Sequence, residues 1–128
     1  HQAENVAAAI DARMNEVYVS QVKREKVRSE FGEFFQWSPV IEEQVCQPEK
    51  VLEQLSDLTA YRVGTGWAAY PQFKDSGLEG SDIILPSAQY MLELALTDYA
   101  QNKIISALEI EPVYLRNEVT WKKLPGRE

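Results

Sequence analysis

The sequence predicts one α/β or α+β sandwich. Strand-like runs rich in β-branched and aromatic residues give way, twice over, to runs with helical apolar spacing. A chain of 128 residues with 45% hydrophobic content holds enough apolar material for one packed core. No internal repeat, low-complexity tract or Gly/Ser linker divides it, so residues 1–128 are expected to form a single domain.

Each element has its own local signal. Val6–Ile10 is apolar on both faces and Val17–Val22 is rich in β-branched and aromatic residues, with polar residues between them, which predicts a β-hairpin. Lys23–Glu30 is densely and oppositely charged, and reads as a solvated strand end and loop. Between Phe31 and Cys46, Phe34, Phe35, Trp37, Val40, Ile41 and Val45 favour a strand, and Pro39 demands an edge position or a break. Pro48 opens a short amphipathic helix with Val51, Leu52 and Leu55 on one face. Tyr61–Val63 reads as a brief strand entering the turn Gly64-Thr65-Gly66, with a short helix after it. Asp75–Ser81 is loop by composition, and Ile83–Leu85 before Pro86 reads as a short strand. Ala88, Met91, Leu92, Ala95, Leu96 and Tyr99 recur at helical intervals, which predicts the longest helix from Ser87 to about Leu108. Glu111–Arg116 is expected to be extended, and the stretch from Trp121 to Glu128 shows no period.

Charge and composition narrow the chemistry. Thirteen Lys and Arg against twenty Asp and Glu give a net charge of -7, which disfavours a surface that neutralises phosphates unaided. Cys46 and His1 are the only soft metal ligands, too few for a zinc site. One cysteine cannot form an internal disulfide, so a reducing, cytoplasmic setting is expected. The longest apolar stretches fall far short of a bilayer span. The chain opens on His1 rather than Met and enters a strand-like run at Val6, and it is expected to be a piece of a longer protein.

Few residues offer catalytic chemistry. Asp11, Arg13 and Glu16 lie at the first turn, where two carboxylates and a guanidinium would polarise a substrate or hold a cation, or simply make a charge-paired turn. Gly64 and Gly66 resemble the small turns that admit a phosphate, yet lack a full glycine-rich fingerprint, and a lone pair of this kind more often serves packing. Trp67, Tyr70 and Phe73 could stack on bases, but core is their expected fate in an acidic chain. Cys46 has no basic neighbour in sequence and reads as a buried thiol. Lys122, Lys123 and Arg127 give a modest basic handle for RNA or an acidic partner.

Resemblance goes further than composition. Asp11-Ala12-Arg13-Met14-Asn15-Glu16-Val17-Tyr18 resembles the "DARmxEvY" hairpin of the TsaB/YeaZ family. Val63-Gly64-Thr65-Gly66-Trp67 is similar to that family's glycine turn, and Pro112, Tyr114 and Arg116 fall in a segment resembling its carboxy-terminal ending, followed by Trp121–Gly126. The resemblance covers the whole chain but only the later half of a family member, making this a carboxy-terminal fragment.

This resemblance implies an actin-like α/β subdomain of the sugar kinase/Hsp70-like superfamily, with a mixed sheet flanked by helices. It also implies that residues 86–128 pack back on an absent amino-terminal subdomain. The implied role is that of a non-catalytic partner in a complex with a TsaD-like catalytic subunit and a TsaE-like ATPase, forming threonylcarbamoyladenosine in tRNAs that read ANN codons. By the same resemblance the fragment itself holds no cofactor, ATP and a divalent metal being used on partner subunits. A homodimer of the full-length protein is implied as well, with tRNA met only through the complex and no membrane involved. Asp11, Arg13, Glu16, Tyr18, Gly64, Gly66, Pro112, Tyr114 and Arg116 are the signature residues, of which Asp11, Arg13, Glu16 and Tyr18 are expected to hold the hairpin rather than a ligand. Two alternatives stand beside this reading, a superfamily-type peptidase or nucleotide hydrolase, and a tRNA-binding module built on Lys122, Lys123 and Arg127.

Overall fold

The computed structural model describes residues 2–30, 32–55 and 57–116. Four strands form one mixed sheet in the order β3-β2-β1-β4. Strand β1 (Asn5–Asp11) pairs antiparallel with β2 (Val17–Ser29), β2 antiparallel with β3 (Gly32–Cys46), and β1 parallel with β4 (Tyr61–Val63). The expected hairpin is present, with Ala9 opposite Val19 and Asp11 opposite Val17.

The pleat sorts β1 and β2 into two faces. Ala7, Ala9, Val17 and Val19 turn to one side and are buried with Cys46. Helices α1 (Pro48–Gln54), α2 (Gly66–Ala69) and α3 (Pro71–Asp75) cover that side, adding Val51, Trp67 and Phe73 to the core. Trp67 and Phe73 meet at a 4.9 Å centroid distance and a 57° tilt, an arrangement that suits the ring quadrupoles. Their expected place in the core is thus occupied, whereas Tyr70 is only half-buried. Gly77, at φ +73°, ends α3 in a Schellman turn in which Gly77 N–H donates to the Lys74 carbonyl and Leu78 N–H to that of Phe73, seating Leu78 in the core. Cys46 is buried as expected, and that burial pushes its thiol up.

Strand β3 spends 15 residues against 13 in β2, and the register shifts at Gln21 take up the difference. Pro39 lies beside these shifts on the sheet edge, where its missing N–H removes no interior ladder bond.

Three expectations are corrected. Lys23–Glu30 is not a loop, because β2 continues to Ser29 and pairs with β3 down to Ser29–Gly32. Its charges sit outside the ladder, with Lys26 and Arg28 reaching Glu33 at 2.6 and 2.9 Å and the Arg24 guanidinium 4.3 Å from the Phe35 ring centre. Ile83–Leu85 is not a strand. This stretch instead meets the end of β4 through two bonds, Ser81 N–H to the Arg62 carbonyl and Gly64 N–H to that of Ile83.

The third correction concerns the longest helix. The span expected from Ser87 to Leu108 is a short 3-10 turn, Ala88–Tyr90, and then α4, Met91–Ala100. Asn102 adopts φ 57°, with its N–H on the Tyr99 carbonyl and Lys103 N–H on that of Asp98, which stops the helix. Thr97 and Gln101 dock α4 on β3 through the Phe35 carbonyl at 3.2 Å and Gln36 Oε1 at 2.9 Å. Residues 111–116 are non-helical, as expected.

Candidate functional site: a polar cluster at the first turn

Three segments far apart in sequence meet where β1 turns into β2. Asp11 ends β1, and its N–H donates to Thr65 Oγ1 at 3.1 Å, tying the hairpin to the glycine turn. Its Oδ1 accepts from Arg13 N–H at 3.0 Å and faces the Tyr70 hydroxyl at 2.9 Å. That hydroxyl lies equally close, 2.9 Å, to the Glu16 carbonyl and shares one proton between the two acceptors. The Arg13 amide, then Tyr70, hold the Asp11 carboxyl below the ordinary aspartate range. Burial, and then the facing carboxylate, push the Tyr70 phenol up.

The turn itself is strained. Arg13, Met14 and Asn15 take φ of 64°, 55° and 58°, a left-handed run that costs L-residues about 1 kcal/mol or more apiece. Two backbone bonds at 3.0 Å, Ala12 N–H to the Glu16 carbonyl and Glu16 N–H to that of Arg13, close it. Arg116 arrives from the far end of the described chain. Its Nη1 donates to the Ala12 carbonyl at 2.7 Å and its Nη2 to Glu16 Oε1 at 3.0 Å, while the guanidinium stands 5.7 Å from the Tyr18 ring centre. The Arg116 side chain is 14% exposed, so this ion pair is screened less than a surface one.

The glycines serve packing. A β-carbon on Gly64, whose φ is +102°, would stand 2.2 Å from the Ala9 carbonyl oxygen, and one on Gly66 would stand 2.8 Å from the Ala9 carbonyl carbon. Nothing larger than hydrogen fits between this turn and β1.

Asp11, Glu16, Tyr18 and Arg116 are therefore brought together, with Gly64 and Gly66 behind them. The Glu16 ion pair is made by Arg116, so the charge-paired turn expected of Asp11, Arg13 and Glu16 draws its cation from the tail. Arg13 contributes backbone groups to the cluster. Pro112 and Tyr114 are exposed and stand outside it, Tyr114 lining a groove shared with Tyr18, Leu115 and Arg116. Thr65 and Tyr70 were not foreseen as members; a hydroxyl on each of two otherwise packing segments was the available signal. Lys122, Lys123 and Arg127 lie outside the described residues.

The cluster is poorly suited to proton abstraction. Two donors already occupy the Asp11 carboxylate and lower its basicity. Among the described residues, no group of three or more His, Cys, Asp and Glu could hold a metal ion. A cleft of 590 Å³ opens beside α2 and α3, lined by Trp67, Tyr70, Pro71, Lys74, Leu78 and Glu79.

The chain is 73% identical over 128 residues to the tRNA threonylcarbamoyladenosine biosynthesis protein TsaB of Haemophilus influenzae, covering all of this chain and 54% of that protein. It is 43% identical over 131 residues to the protein of the same name from Escherichia coli K12, covering 98% of this chain and 54% of that one. Its likeness is to proteins named TsaB and YeaZ. It spans about half the length of the curated relatives it matches. A crystal structure from Pseudomonas aeruginosa, described as an uncharacterized protein with similarity to peptidase YEAZ, superposes with a TM-score of 0.69 at 32% identity over 89% of this chain and 50% of that one. YeaZ from Pseudomonas aeruginosa superposes with a TM-score of 0.64 at 30% identity over 88% of this chain and 50% of its own. The mixed sheet with its helices is accordingly of the actin-like α/β type of YeaZ. No family model matches the chain.

Proposed function

We propose that the protein is a non-catalytic accessory subunit in the formation of threonylcarbamoyladenosine in tRNA, working with a TsaD-like catalytic subunit and a TsaE-like ATPase. The likeness to proteins named for this biosynthesis supports the pathway. One observation supports the non-catalytic role: Asp11, Glu16 and Arg116, the charged signature residues that converge, are spent on one another, on Tyr70 and on backbone groups. ATP and a divalent metal are then used on the partner subunits, and tRNA is met through the assembled complex. No described helix is long and apolar enough to cross a membrane.

The distribution of exposed apolar side chains supports a second part of the proposal. Leu85, Met91, Leu92, Leu96, Tyr99, Ile104, Ile105, Leu108, Ile110, Val113 and Tyr114 are all exposed, far more in one segment than scattered surface residues explain. Residues 86–128 are proposed to pack on the half of the relatives that this chain does not span. That half also carries the contact with the TsaD-like subunit and the homodimer contact.

A peptidase reading is favoured by the description of one structural neighbour as similar to peptidase YEAZ. A single assay separates the two. A protein of the relatives' full length carrying this sequence is given unmodified tRNA, ATP and a threonylcarbamoyl-adenylate supply, with and without a TsaD-like subunit. Modified tRNA is expected only when that subunit is present. Product without it, or cleavage of peptide substrates by this protein alone, would overturn the accessory role.

A further inference from the structure

We infer that the β1–β2 turn is a receptor for a guanidinium group, filled in cis by Arg116. This inference stands apart from the proposed function. The receptor lies within a short window of sequence. The Ala12 carbonyl, the Arg13 carbonyl and Glu16 Oε1 stand 2.7, 3.4 and 3.0 Å from the terminal nitrogens of Arg116, and the Tyr18 ring provides a wall. Two of the three acceptors are backbone carbonyls, aimed by the left-handed run at Arg13, Met14 and Asn15.

Strain and ligand explain each other. A run of three non-glycine residues in the left-handed region persists only where surrounding contacts determine it. The closing bonds to the Glu16 and Arg13 carbonyls, Tyr70 on the inner side and Arg116 on the outer side are those contacts. A planar cation with two forward-facing nitrogens reaches acceptors on separate residues at once, which the point charge of a lysine does not. Arg116 Nε is shielded and makes no hydrogen bond. The receptor thus reads only the two terminal nitrogens, and any alkyl-substituted guanidinium satisfies it.

The consequence is a strap. Leu115, next to Arg116, lines a shallow cleft together with Ala8, Ile10, Tyr18 and Ser20 of the sheet. Seating the guanidinium therefore fixes where the tail meets the sheet, by bonds spanning about a hundred residues of sequence.

The test is amide hydrogen exchange on the 128-residue chain, with Ala12 and Glu16 N–H as reporters of the turn and Ala7 and Val19 as reporters of the core. In Arg116→Ala the turn amides are expected to exchange about tenfold faster or more, with core amides unchanged. Millimolar methylguanidinium is expected to restore protection, and methylammonium to leave it lost. Arg116→Lys is expected to keep the fold and lose turn protection, so the test survives if the alanine variant fails to fold. Unchanged turn exchange in Arg116→Lys, or equal rescue by methylammonium, would overturn the inference.

Discussion

Gly64→Ala is expected to destabilise the chain by about 3 kcal/mol or more, a large share of a typical domain's stability. Two independent costs coincide at this position. The backbone holds φ +102°, which an L side chain rarely adopts, and the added carbon would stand 2.2 Å from the Ala9 carbonyl oxygen. That oxygen belongs to a strand paired on both sides, so it cannot retreat without opening the sheet. Gly32 provides the control: its φ is +108°, yet nothing lies within 4 Å of where a β-carbon would sit. Gly32→Ala should therefore incur strain alone, about 1 kcal/mol. Urea unfolding followed by circular dichroism measures both, and similar midpoints for the two variants would show that the contact with Ala9 carries no weight.

Trp67→Ala is expected to cost about 3–5 kcal/mol. The indole is almost wholly buried, packs on Phe73, and donates from Nε1 to the Val63 carbonyl at 3.0 Å. Its removal leaves a void and orphans an acceptor at the end of β4. Trp67→Phe retains most of the volume and should cost clearly less in the same unfolding experiment. Equal stability of Trp67→Ala and the parent chain would mean that α2 does not close the core.

These two residues also show what the sequence made legible. The apolar run Val6–Ile10 and the β-branched run Val17–Val22, with polar residues between, announced the hairpin, Pro48 the first helix, and the glycine pair a close backbone approach, because each signal is local. Elsewhere a local signal was outvoted. The charges of Lys23–Glu30 suggested solvent, but a strand is held by its backbone ladder and β3 supplies one. The helix was expected to run to about Leu108, while Asn102 stopped it through its own left-handed backbone. Of the cluster, Asp11, Glu16, Tyr18 and Arg116 were recognisable as signature residues, yet nothing in the spacing of Glu16 and Arg116 says that they pair. Tyr70 has the sequence signal of a core aromatic, and its hydroxyl proves to be what joins Asp11 to the turn.

The cluster is proposed to build the scaffold and to perform no chemistry. The most direct test of this is threonylcarbamoyl transfer to tRNA by a saturating TsaD-like subunit together with the full-length protein carrying Asp11→Asn, the rate being divided by the folded fraction. A normalised rate within about twofold of the parent is expected, because asparagine keeps an acceptor for Arg13 N–H and Tyr70, whereas losing a general base costs about a hundredfold or more. A hundredfold loss in a protein that still melts like the parent would contradict the claim and make Asp11 a catalytic residue.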